Sequence, residues 1–517
     1  MQPEAIDPKV FARRWKTLAV LALSLLIIGL DNTVLNVALP TLQTHFSASG
    51  STLQWIVDSY LLSFAGVLLT MGTLGDRFGR RRALQAGLVL FGVASVLAAF
   101  AQDATQLIVL RAAMGVGGAM IMPATLSVII DIFPREERGK AIGIWSAIAG
   151  VGIGLGPFVG GLLLEWFSWS SVFWLNVPIV GVALIAGFAL VPESRDPKPG
   201  AFDLRGAALS IATLVTLVYG IIEASPRGWT DPVVLGCFAA AAVLGAVFVM
   251  WERKVASPML PLAFFRDPRF TVASVGVGLV FFAMMGSVFA FTQYLQFAHG
   301  FSALEAGAAM LPLALGLVIG SGVSNRLTQR VGRTYVIAGG LIGVAVVLST
   351  SLAWTPDMAP ALLGLVTFGL ALSMGSAMAP ATESVMSAVP EARAGVGSAM
   401  SDVTRQVGGA LGVAVIGSII ATAYSRDMTA APDAARESVG AAHAIAGQVG
   451  GASGRELADT AGQAFTGALG MGLTAAAAVA LAGALLVLLR LPSGRTRTTT
   501  PAAARPLPTI QPQPSAP

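Results

Sequence analysis

Cysteine is almost absent: among 517 residues there is one, Cys237, inside an apolar run, so neither an intramolecular disulfide nor a multi-thiol redox or metal centre can form. Histidine is nearly as scarce, and His45, His299 and His443 stand far apart in connecting segments, which makes no metal site. Charge is the third shortage. Only 11% of residues are Asp, Glu, Lys or Arg, against roughly 25% in an average soluble domain, and this argues against a water-soluble protein. There is no GxxxxGK[ST] loop, so nothing supports ATP as an energy source, because a P-loop needs that Lys at the phosphates. Nor is there an HExxH, a His–acid pair or an activated Ser or Cys arrangement, which argues against an intramembrane enzyme.

What is present in excess is apolar, at 55% of residues, together with 59 Gly and a mean hydropathy of +0.76. The glycines follow no collagen period and are spread along the chain, as in membrane helices whose small residues let backbones approach closely. A span needs about 20 mostly apolar residues. Fourteen runs qualify: 17 to 39, 53 to 73, 83 to 101, 105 to 130, 140 to 163, 171 to 191, 206 to 223, 233 to 251, 271 to 294, 305 to 323, 334 to 353, 359 to 382, 396 to 421 and 466 to 490. The first is too long for a cleaved signal, carries Asp31 and is followed by further spans.

Lys and Arg collect on the cytoplasmic side of short loops. Of the 32 here, 26 fall in alternate segments on one side, including both termini, four fall opposite, and Arg111 and Arg405 lie within spans. The expectation is a multi-pass plasma-membrane protein with both termini cytoplasmic. The same topology accounts for a net charge of +5 without invoking nucleic acid. The loop 422–465 is Ala/Gly-rich with room for a short surface helix, and the tail 491–517 is Pro/Thr-rich and reads as disordered.

Four strings carry mechanism. The loop between the second and third spans, GTLGDRFGRRR, offers Gly72, Asp76, Arg77, Gly79 and Arg80 as a tight turn able to latch two helices. The fourth span places Arg111 in the membrane. The fifth holds GVGIGLGPFVGG, a ridge of Gly152, Gly156, Gly160 and Gly161 with Pro157, suited to close packing and local bending. The first span ends in LDNTVLNVALP, with Asp31 and Asn36 among apolar residues.

These strings, with WIVDSYLL and WSSVFWLNVP, resemble the major facilitator superfamily, specifically its fourteen-helix drug:proton antiporter branch. The likeness covers roughly residues 15 to 490. It implies an all-α fold of two six-helix bundles, 17–191 and 271–490, that rock about a central cavity, with a linker 192–270 carrying two inserted helices. Residues 1–16 then form a cytoplasmic N-terminus. The second bundle echoes the first weakly: SNRLTQRVGRT keeps the Gly and arginines of the latch but lacks its acid. Most of the coupling chemistry is therefore expected in the first bundle.

An ionisable side chain inside a span costs about 2.5 to 3.5 kcal/mol on insertion scales, so each calls for a partner or a task. At 1.5 Å of rise per residue, Asp31 lies roughly 12 Å from the outer end of its span, Asp58 roughly 8 Å and Arg111 roughly 9 Å. If their faces converge on the cavity, an Asp there can carry a proton while a nearby Arg makes its uptake depend on conformation. A bland reading stands beside each: Asp31 as a fixed structural partner, Asp58 in interfacial water, Arg111 as a counter-ion only. Arg405 either contacts substrate or pairs with Asp402. Asn36, Gln293, Tyr294 and Gln296 are candidate cavity contacts, and Glu223 reads as interfacial.

The expected function is proton-coupled export of hydrophobic or amphipathic drugs, antibiotics or natural products. Its partners are a small-molecule substrate, protons and lipids, and no cofactor is needed beyond the proton gradient. The alternative is a symporter importing a nutrient. One chain containing both bundles can work as a monomer.

Overall fold

A computed structural model describes residues 8–195, 203–255, 258, 262–389 and 394–491. Lys198 and Arg393, counted above, and the tail 492–517 lie outside these. Among the described residues the chain is helical without a strand, as expected of apolar segments that must satisfy every backbone group internally. The helices are α1 (Pro8–Phe46), α2 (Gly50–Phe78), α3 (Arg80–Ala98), α4 (Ala104–Ile132), α5 (Arg135–Trp166), α6 (Ser171–Trp174), α7 (Asn176–Leu190), α8 (Leu204–Arg227) and α9 (Pro232–Lys254). They continue with α10 (Pro268–Gln293), α11 (Ala303–Ala309), α12 (Leu311–Val331), α13 (Arg333–Ser349), α14 (Pro360–Ser387), α15 (Ala394–Asp427), α16 (Asp433–Glu437), α17 (Val439–Val449) and α18 (Gly451–Arg490). Among the described residues thirteen helices are long and apolar enough to cross a membrane. The predicted run 140–163 falls on α5, whose described apolar stretch is Gly150–Trp166.

Polar caps set the boundaries. Ser49, Asp103, Asp203, Asp231 and Asp267 each accept a backbone N–H in the first turn of the following helix, and Ser302 with Glu305 completes a capping box. Single glycines at positive φ break otherwise continuous chains: Gly79 (φ 118°) parts α2 from α3, and Gly332 (φ 96°) parts α12 from α13 at the matching place in the second half.

In the first half α1 packs on α5, and α4 on α2 and α3; in the second, α12 packs on α14, and α10 on α15. α8 lies against both α2 and α15, across the seam where the halves meet. Its Ile211 fills the space left by Gly66. α9 turns Val233, Leu235, Val243 and Met250 outward, the expected surface of a lipid-facing helix.

The loop 422–465 differs from expectation. α15 runs on to Asp427, α16 and α17 follow, and α18 begins at Gly451, well before residue 466. α17 is a short helix with one face exposed, through Ala444, Gln448 and Val449, and one face buried. It buries Val439, Gly440, Ala442 and Ala446, because its small residues dock closely on α18, where Gly454 faces the Ala446 carbonyl.

Candidate functional site

The residues expected to couple protons separate into a paired group and a solitary acid. Arg111 Nη1 on α4 donates to Asp31 Oδ2 on α1 at 2.5 Å, with both side chains 2% exposed. Arg111 Nε donates to the Ile56 carbonyl at 3.3 Å, and the guanidinium lies 4.5 Å from the centre of the Tyr60 ring. The other Asp31 oxygen accepts from Asn176 Nδ2 at 3.2 Å. Asn176 also donates to Ser95 Oγ at 3.1 Å, and Ser95 donates to the Phe173 carbonyl. Three helices, α1, α4 and α7, thus meet on one carboxylate.

Asp58, on α2, is 0% exposed, and neither of its carboxylate oxygens has a hydrogen-bond partner among the described residues. That removes the interfacial-water reading, since the side chain is closed off. The expectation that the three would converge on a cavity is corrected as well: none of them lines the central cavity. Asp31 and Arg111 meet between helices of the first bundle, whereas Asp58 stands on the face of α2 that carries Gln54 and Leu61, which lie against Gly417 and Gly409 of α15.

A cavity of about 140 Å³ sits between the halves, walled by Asn32 of α1, Trp145 of α5, Phe281 and Met285 of α10, and Asp402 and Arg405 of α15. Arg405 donates to Asp402 at 3.1 Å and to Thr382 Oγ1 at 3.1 Å, with its guanidinium 5.7 Å from the Phe281 ring centre. Trp145 Nε1 is held by Thr125. A smaller space beside Pro123, Leu126 and Ala399 shares Met122 and Asp402 with it, and leads toward the end of the molecule that carries the GTLGDRFGRRR turn.

Of the predicted cavity contacts only Arg405 lies there. Asn36 bonds back to its own helix through Asn32 and Thr33, one turn beyond the Asn32 side chain that does reach the cavity. Gln293 faces a separate small pocket with Gln43 and Gln54. The Tyr294 hydroxyl donates to the Thr355 carbonyl, and Gln296 donates to the Val37 carbonyl at 2.9 Å. Glu223 pairs with Arg227 at 2.8 Å. A π-helical turn over Tyr294–Ala298 rotates this stretch relative to a regular helix, which linear spacing does not show.

At the latch, Arg80 joins Asp76 of α2 at 2.8 Å and also Asp131 at the end of α4. Arg81 and Arg82 each lie 3.7 Å from Glu193, and Arg80 N–H donates to the Ser194 carbonyl. Arg77 lies over the Phe78 ring. A β-carbon at Gly79 would fall 2.3 Å from Glu193. Gly72 stands against Pro123 of α4. Asp131, Glu193 and Asn176 escaped the reading of the sequence. Asn176 left one signal, a lone amide opening an otherwise apolar span, whereas the two acids are far from the motif they serve.

The glycine ridge has two faces. Gly152, Gly156 and Gly160, one turn apart, lie on α1: added β-carbons would sit 2.9, 3.0 and 2.7 Å from the carbonyls of Leu26, Leu30 and Val34. Pro157 and Gly161 face the second half, the Pro157 carbonyl against Gly307 and Gly161 against the Ala303 carbonyl. With the Gln296–Val37 bond, these contacts close the end of the molecule opposite the latch.

The family model described as Major Facilitator Superfamily matches residues 21–413. The multidrug efflux pump LfrA of Mycolicibacterium smegmatis is 39% identical over 408 residues, covering 79% of this chain and 81% of its own. The tetracenomycin C resistance and export protein of Streptomyces glaucescens is 34% identical over 411 residues, covering 78% of this chain and 76% of its own. The puromycin resistance protein pur8 of Streptomyces alboniger is 34% identical, with 79% and 82% covered. Among solved structures, a bacterial homologue of the human lysosomal transporter Spinster, inward-facing and occupied, has a TM-score of 0.64 at 19% identity, over 93% of this chain and 97% of its own; that likeness concerns the fold. By fold, motifs and these relatives, the chain belongs to the Major Facilitator Superfamily.

Proposed function

We propose that the protein exports hydrophobic or amphipathic compounds, drugs and antibiotics among them, in exchange for protons. The observation that carries the coupling is the contrast between two buried carboxyls: Asp31 is held by Arg111 and Asn176, while Asp58 has no partner. A carboxyl with two donors persists as an anion, and one without a partner in apolar surroundings is suited to carry a proton across. Export as the direction is supported by the relatives, which are named for efflux and resistance.

In this reading the compound enters the cavity from the latch end. Trp145, Phe281 and Met285 give it apolar contact, and Asp402 with Arg405 gives it polar contact. With Asp58 deprotonated, the loaded protein parts the ridge contacts to α11 and releases the compound on that side, and proton uptake near Asp58 from there favours the return to the arrangement open at the latch. The concentration of 26 of 32 basic residues on the latch side supports a plasma-membrane orientation with that end in the cytoplasm. The proton gradient suffices as energy source, and the cavity lies within one chain, which supports a working monomer.

The test is ethidium accumulation in everted membrane vesicles energised by respiration. The protein is expected to concentrate ethidium in a protonophore-sensitive way, and Asp58→Asn and Asp31→Asn are each expected to abolish this while expression persists. Full activity in both variants would sink the coupling assignment. Movement down to a symporter's direction under a reversed gradient would favour nutrient import instead.

A further inference from the structure

The closed end opposite the latch contains a second polar site that the transport reading above leaves unused. Gln43 of α1 and Gln54 of α2 are 2% and 1% exposed. Both amide atoms of Gln43 and the Gln54 oxygen have no hydrogen-bond partner among the described residues. Together with Gln293 of α10, Tyr424 of α15 and Glu437 and Ser438 of the α16–α17 segment, they wall a cavity of about 30 Å³, room for one or two waters.

Each of the two amides is seated over a glycine of the second half. A β-carbon at Gly417 would lie 2.6 Å from Gln54 Nε2, and one at Gly440 would lie 2.4 Å from Gln43 Oε1. Gly440 belongs to α17, whose buried side covers the cavity. Buried amides without partners are costly and call for a reason. Here the reason follows from position: both sit on the seam that must part when this end opens, and opening would expose their donors and acceptors to whatever passes.

We propose that Gln43, Gln54 and Gln293 form a hydrogen-bonding exit site beneath a lid made by α16 and α17, and that it takes the neutral hydroxyl, carbonyl or amide groups of a departing compound. The inference rests on the export reading, because in an importer the same site would be the entrance. It differs from the central cavity in that its buried groups are neutral amides, the one carboxyl in its wall belonging to the exposed Glu437, where the central cavity offers an Asp–Arg pair.

Two cationic probes separate the possibilities. Doxorubicin carries several hydroxyl and carbonyl groups, and tetraphenylphosphonium carries none. The Gln43→Leu/Gln54→Leu double variant is expected to lose about tenfold in doxorubicin export and to keep tetraphenylphosphonium export within about twofold, with Gln43→Asn/Gln54→Asn recovering much of the loss, a discrimination typical of sites built on hydrogen bonds. Equal loss of both probes, or loss of neither, overturns the proposal; failure of the unaltered protein to export either would instead count against the export reading. An independent arm needs no transported probe. In a Cys237→Ala background, Gln43→Cys should react with a membrane-impermeant maleimide added outside, faster when a proton gradient is imposed. A residue unreactive under every condition is not on an exit path, and that result too overturns the proposal.

Discussion

At the scale of single residues, the fate of Asp31 is decided by two donors that come from far along the chain. Arg111 was legible in the sequence as a charge that needed an acid, but Asn176 was not, because an amide at a span's start is equally at home in water. Removing one member of a buried ion pair leaves an uncompensated charge, at a cost of about 3 to 5 kcal/mol. Arg111→Ala is therefore expected to lower the yield of folded protein sharply, read as monodisperse material by size-exclusion chromatography in detergent. Asn176→Leu leaves the ion pair and removes only the second donor to Asp31 and the link to Ser95. Its expected effect is a loss of about 1 to 3 kcal/mol, seen as a modest fall in thermal stability. Ethidium export should fall further than stability, because the orientation of Asp31 is what the amide supplies; a variant equally stable and fully active would mean that Arg111 alone positions the acid.

Elements are held together by the absence of side chains as much as by their presence. Along α5, Gly152, Gly156 and Gly160 let α1 approach backbone to backbone, and this packing is the membrane substitute for hydrophobic driving force. Gly156→Leu is expected to force the two helices apart and to cost at least about 1 to 3 kcal/mol, measured as a fall in the midpoint of thermal unfolding in detergent. An unchanged midpoint would show that α1 and α5 can separate freely. At the other end of the same two helices, Arg14 of α1 donates twice to Glu137 at the start of α5, at 2.8 and 3.0 Å. The hydrogen bond from Arg14 holds the Glu137 carboxyl below its ordinary value of 4.5. A lowered value in the folded state means that the pair stabilises above that ordinary value and that its contribution disappears as pH falls through the lowered one. The protection factor of amides at the start of α5, taken against the intrinsic exchange rate at each pH, should be smaller well below pH 4.5 than at pH 7, and Arg14→Ala should remove the difference. The ridge's spacing was readable from the sequence. Which neighbour each glycine admits was not, since alternate glycines serve two different partners.

For the whole molecule, transport requires that contacts between the halves exist in one arrangement and be surrendered in another. In this structure those at the far end are made, through Gly161 on Ala303, Pro157 on Gly307 and Gln296 on Val37, while the central cavity continues toward the latch. Gly161→Val places methyl groups where the Ala303 carbonyl now lies, without touching α1. The expected outcome is a protein that folds with nearly unchanged thermal stability yet loses about tenfold in export, because a shift of only about 1.4 kcal/mol between two states changes their ratio tenfold. Matching losses of stability and export would identify Gly161 as a structural contact only.

By itself the sequence determined the class of molecule, the apolar runs from which most of its long helices form, the turn at Gly79 and the presence of an intramembrane arginine that needs a partner or a task. These follow from local quantities: run length, charge placement and residue size along one segment. Only the tertiary structure decided which acid Arg111 takes, that Asp58 is left without a partner, that Asn32 and not Asn36 reaches the cavity, and that Gln293, Tyr294 and Gln296 serve elsewhere. Each of those depends on the rotation of one helix about its axis relative to neighbours dozens or hundreds of residues away, where a shift of a single position turns a side chain by about 100°, and on a π turn that resets the count.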